Sequence, residues 1–175
     1  MQDVLIVVDM QKDFINGALG TPEAVAIVPA VVEKLRGFKG QVIFTRDTHY
    51  EDYLDTQEGH NLPVPHCMRG SDGWQICQEL QPFAENAVVL DKVTFGSMEL
   101  GPMLQDMHEE DAISSITFVG LCTDICVISN VMIAKAFLPE VPIIVDAACC
   151  AGVTPASHNT ALASMRTCQV QIENA

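Results

Sequence analysis

The segment Ile116–Val127, which reads ITFVGLCTDICV, carries a cysteine in a position where a thiol could act as a nucleophile. Its first four residues are largely apolar and β-branched, which predicts a short strand covered on both faces. A tight turn at Gly120 then leads into a helix, for which Thr123 and Asp124 are suitable N-cap residues. Cys126 falls in about the first turn, where the helix dipole favours the thiolate and free N–H groups could hold an oxyanion. The alternative is that Cys126 is a small buried hydrophobic residue.

A second group of residues has the types and the spacing of a metal site. Asp47 and His49 are two residues apart in a segment predicted to be extended, so their side chains point to the same side and can reach one ion. His66 lies in a stretch stiffened by proline and could return to complete a set of one carboxylate and two imidazoles. Such a set suits Zn, Mn or Fe and leaves positions open for water or substrate. The alternative is that these are ordinary surface and loop residues.

Composition restricts the class of protein. The chain has 175 residues, of which 49% are hydrophobic and 18% charged, as expected for one globular domain. Its formal net charge of −14 argues against nucleic acid or an anionic membrane surface as a partner. Neither a signal peptide nor a membrane span is predicted, and the seven cysteines show no paired spacing, so we expect a cytoplasmic protein with reduced thiols.

These candidate residues must be positioned by alternating strands and helices. We predict a long helix from Thr21 that Pro29 could interrupt, helices at 98–108 and from Cys126 to about Phe137, and a last helix opened by Thr154. Six segments are predicted as strands: Val4–Val8, Gln41–Thr45, Ala87–Leu90, Ile116–Val119, Val141–Val145 and Gln169–Ile172. Repeated strand–helix units predict a single α/β domain over residues 1–175, a three-layer α/β/α sandwich with a mostly parallel six-stranded sheet.

In such open sheets, ligands bind outside the carboxyl ends of the strands. Five reactive side chains are expected just past a strand end: Asp9, Asp47, Lys92, Cys126 and Asp146. A lone acidic residue there is often only a cap or a turn former. Five reactive side chains at the same edge of the sheet favour a functional site. No glycine-rich phosphate loop follows the first strand, so a nucleotide-binding Rossmann protein is not indicated. The long irregular stretch from 50 to 86 is typical of a functional loop.

Three segments together resemble the isochorismatase-like cysteine hydrolases, and their order and spacing match across nearly the whole chain. They are Asp9–Phe14 (DMQKDF), Lys92 followed by Phe95, and Val119–Val127 (VGLCTDICV). The resemblance implies a catalytic triad in which Asp9 takes the thiol proton, Lys92 holds the carboxylate and the thiolate in place, and Cys126 attacks a carbonyl. A buried salt bridge without catalytic function is the alternative for Asp9 and Lys92.

The resemblance has further implications for the site. It implies a cis peptide at Leu121–Cys122, with the N–H groups of Cys122 and Cys126 forming an oxyanion hole. The set of Asp47, His49 and His66 is similar to the metal site of nicotinamidases, where the metal binds the pyridine nitrogen, and is generally absent from isochorismatases. Glu58, in the same loop, is a candidate fourth ligand. Homo-oligomers are common in the family.

The chain also departs from the nicotinamidase pattern. Nicotinamidases often have Trp before the third metal ligand and an aromatic residue before the catalytic cysteine, where this chain has Pro65 and Ile125. The residues then expected to contact the substrate are Phe14, Leu121 and Trp74, with Phe95 as another candidate for ring stacking. The implied function is deamination of nicotinamide to nicotinate through a thioester. Hydrolysis of another small amide or ureide, an isochorismate-type ether hydrolase and a non-catalytic ligand-binding module are the alternatives.

Overall fold

The computed structural model describes residues Met1–Ala175 and contains one six-stranded sheet in which all strand pairs are parallel. The spatial order is β3-β2-β1-β4-β5-β6. The strands are β1 (Gln2–Val8), β2 (Gln41–Asp47), β3 (Val88–Lys92), β4 (Ile113–Leu121), β5 (Ile143–Ala151) and β6 (Gln171–Glu173). The predicted α/β fold is therefore confirmed, with a sheet that is entirely parallel.

Helices cover both faces of this sheet. The helices are α1 (Lys12–Ile15), α2 (Pro22–Gly37), α3 (Gln57–Asn61), α4 (Gln81–Ala84), α5 (Leu100–Glu110), α6 (Ile128–Phe137) and α7 (Pro155–Thr167), and a short 3₁₀ turn spans Tyr53–Asp55. Alternate residues of β1 enter two separate cores: Leu5 and Val7 pack with residues of α2, whereas Val4, Ile6 and Val8 pack with residues of α5, α6 and α7. The unbroken apolar run of β1 is thus buried on both faces, as a central parallel strand requires.

The helix α2 begins as its sequence predicts. The hydroxyl oxygen of Thr21 accepts a hydrogen bond from the N–H of Ala24 at 3.0 Å, and Pro22 occupies the first helical position. Pro29 does not interrupt the helix, which continues to Gly37, and Pro29 lies on its exposed side. No helix of the structure is both long and apolar enough to cross a membrane.

The prediction that Asp146 follows the end of a strand was wrong. Asp146 lies inside β5, which continues to Ala151, and its carboxylate is 2.8 Å from the ammonium of Lys34 on α2. The side-chain amide of Asn174 also donates to it, at 2.9 Å. Burial would raise the pKa of Asp146, but these two donors outweigh it and hold the pKa below its usual range. The other titratable groups facing this pair are Cys149 and Glu173.

The junction between β4 and the Cys126 helix also differs from prediction. The strand β4 continues through Gly120 to Leu121. Gly120 has φ +120°, and a Cβ atom there would collide with the carbonyl oxygen of Val8 on the neighbouring strand, so glycine is required at this position. The chain then makes one π-helical turn, Thr123–Val127, before α6 begins, and neither Thr123 nor Asp124 acts as the N-cap, because that position belongs to Cys122.

Candidate active site

The register of the sheet places three polar side chains at one edge. Val8 pairs with Thr45 and Asp47 pairs with Lys92, so the carboxyl ends of β1, β2 and β3 lie side by side. Asp9 directly follows β1, and its side chain is fully buried. Its φ of +48° is the left-handed region, which costs a residue other than glycine on the order of 1–3 kcal/mol. Such strain at a buried carboxylate is typical of a functional position.

The ammonium of Lys92 is the centre of this arrangement. Its Nζ atom lies 2.7 Å from Oδ2 of Asp9 and 3.2 Å from Oδ1 of Asp47. The carbonyl oxygen of Thr94 is 3.2 Å from Nζ and the Sγ atom of Cys126 is 3.5 Å from it. The structure therefore brings together Asp9, Lys92 and Cys126, which lie far apart in the sequence.

The protonation of these groups follows from burial and from their mutual charges. Burial raises the pKa of Asp9, although the neighbouring charge of Lys92 opposes the shift. Burial would lower the pKa of Lys92, but the negative charges around it, above all Asp9, outweigh burial and raise it. Lys92 therefore stays charged. Its second carboxylate partner is Asp47, whose pKa is lowered because the neighbouring His49 and Lys92 outweigh the effect of burial.

The protonation state of the Cys126 thiol differs from the expected one. The helix position was expected to favour the thiolate, but burial, followed by the charge of Asp9, raises the pKa of Cys126 well above its usual range. The thiol is consequently protonated at rest, and a base must remove its proton. Oδ1 of Asp9 accepts a hydrogen bond from the hydroxyl of Thr45 at 2.7 Å, whereas Oδ2 is paired with the ammonium of Lys92 at 2.7 Å and keeps a lone pair that can receive a proton.

The π-helical turn changes the backbone hydrogen bonding beside the thiol. The N–H groups of Ile125 and Val127 both donate to the carbonyl oxygen of Cys122 at 3.0 Å, and the N–H of Cys126 between them does not. The peptide bond between Leu121 and Cys122 is cis, as the resemblance implied.

Asn130 is a residue that the sequence interpretation missed. It is fully buried in α6, and its amide donates to the carbonyl oxygens of Cys126 at 2.8 Å and of Phe95 at 3.2 Å. Its oxygen accepts from the N–H of Ser97 at 2.9 Å. Asn130 thus ties the backbone of the thiol residue to the segment that follows Lys92. Its signal in the sequence is an amide side chain four positions after Cys126 in a mainly apolar helical stretch.

The four predicted metal ligands also come together. Asp47, His49, Glu58 and His66 each place a ligand atom within 4.8 Å of the other three. Nδ1 of His66 is 2.8 Å from the carbonyl oxygen of Val64, which can only accept, so Nδ1 carries the proton and the lone pair of Nε2 faces the other ligands.

One atom of this group shows that a divalent cation fits it. Nε2 of His49 is buried and has no hydrogen-bond partner, although it lies 2.9 Å from Oδ2 of Asp47. A buried polar atom without a partner is rare, and a metal ion would satisfy it. Two imidazoles and two carboxylates are a donor set for Zn, Mn or Fe.

Two further residues of the DMQKDF segment were not recognised from the sequence. Gln11 is fully buried, and its side chain both donates to the carbonyl of Asp47 at 2.8 Å and accepts from the N–H of Asp47 at 2.7 Å. The carboxylate of Asp13 accepts from the N–H of Cys67 at 2.8 Å. A Cβ atom at Gly73 would collide with the same carboxylate. The segment therefore fixes the backbone next to two of the predicted metal ligands, Asp47 and His66.

A cavity of about 410 Å³ connects the two groups, since Cys126 and the ligands Asp47, Glu58 and His66 all line it. Ten of its sixteen lining residues are hydrophobic, and no lysine or arginine lines it. Three of the expected substrate contacts line it: Phe14, Leu121 and Phe95. The ring of Phe14 lies 5.5 Å from that of His66, measured between centroids.

Trp74 does not line this cavity. The guanidinium of Arg46 covers its ring at 3.5 Å, and its indole N–H donates to Thr48 at 2.9 Å. Trp74 therefore fastens the loop to the end of β2, away from the position of a substrate ring.

Comparisons with known proteins agree with this geometry. The family model described as the Isochorismatase domain matches residues 3–175. A nicotinamidase/pyrazinamidase of Bacillus subtilis is 28% identical, with a TM-score of 0.83 over 99% of this chain and 100% of that one. A pyrazinamidase of Pyrococcus horikoshii, crystallised in complex with zinc, is 26% identical, with a TM-score of 0.79 over 98% of both chains. N-carbamoylsarcosine amidase of Thermoplasma acidophilum is 28% identical, with a TM-score of 0.77 over 99% of this chain and 96% of that one. No curated protein sequence is significantly similar to the chain.

Proposed function

The chain belongs to the isochorismatase family of hydrolases, and within that family we propose that it is a cysteine amidase that deaminates nicotinamide, or a close heteroaromatic carboxamide, through a thioester. The observation that carries the proposal is one cavity lined by both a buried thiol and a cluster of metal ligands, with Lys92 in contact with each group. The thiol can attack the carboxamide carbon, and a metal ion held by the ligand cluster could bind a ring nitrogen.

The first step is attack on the carboxamide. Asp9 accepts the proton of the Cys126 thiol on Oδ2, the oxygen beside Lys92, while Sγ bonds to the carbonyl carbon. The negative charge then moves to the carbonyl oxygen, where the N–H groups of Cys122 and Cys126 are the proposed donors. Lys92 stays charged beside both groups and stabilises whichever of them is anionic.

The second half releases ammonia and the acid. Asp9 gives its proton to the amide nitrogen, the C–N bond breaks, and ammonia leaves a thioester on Cys126. Water then attacks the thioester carbon as Asp9 takes one proton from it. The C–S bond breaks, the sulfur regains that proton, and the carboxylic acid departs. The raised pKa of Asp9 suits a group that must accept and donate a proton in alternation.

The ligand cluster orients the substrate in the cavity. Asp47, His49, Glu58 and His66 would hold a divalent transition metal, which when bound offers a coordination position for a ring nitrogen. Phe14, beside His66, can contact the ring, and Gln11 fixes the backbone of Asp47 through two hydrogen bonds. The ring and the carboxamide are thereby held in one orientation toward Sγ.

The charges of the cavity favour a neutral amide over a ureide that carries a carboxylate. An anionic substrate needs a cationic partner once it leaves water. No lysine or arginine lines the cavity, and the one cation there would be the metal ion, whose open position is taken by the ring nitrogen. Isochorismate, a dicarboxylate, is disfavoured for the same reason. Uncharged ureides remain the second candidate class, since N-carbamoylsarcosine amidase is among the similar structures.

The proposal is tested by ammonia release from nicotinamide, benzamide and a ureide panel, each with and without a chelator. We expect nicotinamide to be consumed and benzamide, which lacks the ring nitrogen, to be consumed at least about tenfold more slowly. Chelation should suppress nicotinamide turnover. Equal rates for nicotinamide and benzamide that ignore the chelator would refute the orienting role, and turnover of ureides alone would identify the second class.

Metal content provides the matched control. We expect about one divalent metal ion per chain by elemental analysis, lost in the His49→Ala and His66→Ala variants. His60→Ala changes an exposed histidine of α3 in the same loop and should keep the metal. Loss of metal in all three variants would mean that the loop, rather than the ligand set, is responsible.

A further inference from the structure

The mouth of the active-site cavity is lined with apolar side chains that are exposed to water. Leu62 follows α3, Phe95 follows β3 and Val153 follows β5, and they are 37%, 48% and 50% exposed. All three line the same cavity. One exposed apolar side chain needs no explanation, but three from separate segments converging on one opening mark a surface for an apolar ligand.

The cavity is polar at one end and apolar at the other. Its reactive residues, among them Asp47, His66 and Cys126, are almost completely buried and so form its deep end. From there to the mouth, the lining is mainly hydrophobic and carries no cation. A volume of about 410 Å³ is in the range of clefts that hold drug-sized ligands and exceeds the needs of a single-ring carboxamide.

We propose that the preferred substrate is an uncharged heteroaromatic carboxamide that carries an apolar substituent, and that nicotinamide itself is the poorer substrate of the two. The carboxamide lies at the deep end beside Cys126, and the substituent contacts Leu62, Phe95 and Val153 at the mouth. The position of the carboxamide rests on the function proposed above, whereas the position of the substituent rests on the exposed apolar rim and the volume.

The test compares nicotinamide with 5-butylnicotinamide, 5-phenylnicotinamide and 5-carboxynicotinamide. The substituents are placed on the ring carbon that adjoins neither the ring nitrogen nor the carboxamide-bearing carbon. Burying an apolar group in such a pocket should raise kcat/KM about tenfold or more over nicotinamide, and the charged carboxylate should lower it. Butyl and phenyl compounds that are turned over no better than nicotinamide would overturn the proposal.

Rim variants locate the contact. In a Leu62→Ser/Val153→Ser double variant, the preference for the butyl compound over nicotinamide should fall about tenfold. Leu54→Ser changes a residue that is equally exposed but does not line the cavity, and it should leave the preference unchanged. The rim variant could instead change the oligomeric mass measured by size-exclusion chromatography and leave the preference for the butyl compound intact. The rim would then be covered by a second copy of the chain, and the proposal would be wrong.

A failure of the proposed function is distinguishable from a failure of this inference. If no carboxamide is turned over, binding is measured as protection of Cys126 from iodoacetamide, in a Cys168→Ser background because Cys168 is the exposed thiol. Protection by the butyl compound at about tenfold lower concentration than by nicotinamide would support the apolar subsite even without turnover. Equal protective concentrations for the two compounds would contradict it.

Discussion

The substitution Asn130→Asp tests whether a buried amide holds the nucleophile in place. The carboxyl group has the shape of the amide and keeps an oxygen for the N–H of Ser97, but it loses both N–H donors. The carbonyl oxygens of Cys126 and Phe95, at 2.8 and 3.2 Å, then lose their donor in a site without access to water. The perturbation is therefore confined to two hydrogen bonds.

The magnitude follows from those two bonds. Each is worth about 1 kcal/mol, and a buried carbonyl left unsatisfied costs about 1–3 kcal/mol. The introduced carboxyl group has no cationic partner there, so its pKa rises in the folded state. In its ionised form it donates to neither carbonyl oxygen, and in its neutral form its single O–H can donate to only one of them. We expect a loss of about 3 kcal/mol in the free energy of unfolding at pH 7. Because the folded variant then binds the proton more tightly than the unfolded chain, the loss shrinks as pH falls from the raised folded pKa toward the unfolded pKa of about 4.

The assays are guanidinium unfolding at several pH values, kcat and KM, and the rate at which iodoacetamide modifies Cys126. A displaced thiol should lower kcat by about tenfold or more with little change in KM. Ser129→Ala is the matched control, since Ser129 donates to the carbonyl of Ile125 at 2.6 Å, the same spacing one residue earlier. It should cost under about 1 kcal/mol and leave kcat unchanged. An Asn130→Asp variant with wild-type stability and alkylation rate at pH 7 would refute the reasoning.

Four further substitutions have definite expected outcomes. Cys126→Ala should abolish turnover while leaving the fold intact by circular dichroism, and residual activity would remove the thiol from the mechanism. Asp9→Asn should lower kcat by about 10²–10⁴-fold. Lys92→Met leaves buried carboxylates unpaired and should lower the free energy of unfolding by about 3–5 kcal/mol. The double variant Lys92→Met/Asp9→Asn should recover part of this loss. No recovery would mean that the two residues are not coupled. Asp146→Asn should cost about 2 kcal/mol at pH 7, because a carboxylate with a lowered pKa stabilises the folded state above its unfolded pKa of about 4. That deficit should shrink as pH falls through the folded pKa, and a deficit that does not change with pH would rule out the ion pair with Lys34 as its source.

The sequence predicted best those parts of the fold that depend on local patterns. The apolar run Val4–Val8 predicted a central strand because every side chain of such a strand is buried, and all five are. The triad was predicted from a resemblance that covers three segments, whereas Asp47, His49 and His66 were predicted from their residue types and spacing and then compared with the metal site of nicotinamidases. Their convergence at one edge also follows from the parallel sheet, since every strand that precedes them ends there.

Two errors have a common physical reason, which is that the deciding contact is distant in sequence. Asp146 looked like a strand end because it interrupts an apolar run, yet its charge is satisfied by Lys34, 112 residues away, so β5 continues. Thr123 and Asp124 are good N-cap residues, but β4 runs on past Gly120 because the glycine fits against Val8. Neither contact can be predicted from local sequence propensity.

The position of Lys92 explains how the proposed proton transfer avoids separating charge. An ammonium has three protons, and here it has four neighbours: Asp9, Asp47, the carbonyl of Thr94 and, farthest at 3.5 Å, the sulfur of Cys126. While the thiol is protonated, its sulfur is a weak acceptor and Asp9 is the stronger partner. When the proton moves from the thiol to Asp9, the negative charge moves from the carboxylate to the sulfur, and both positions lie within reach of the same ammonium. The number of anions around Lys92 is therefore the same before and after the transfer. A buried site can accommodate the transfer for this reason, since the low dielectric penalises new charge far more than it penalises the displacement of an existing one.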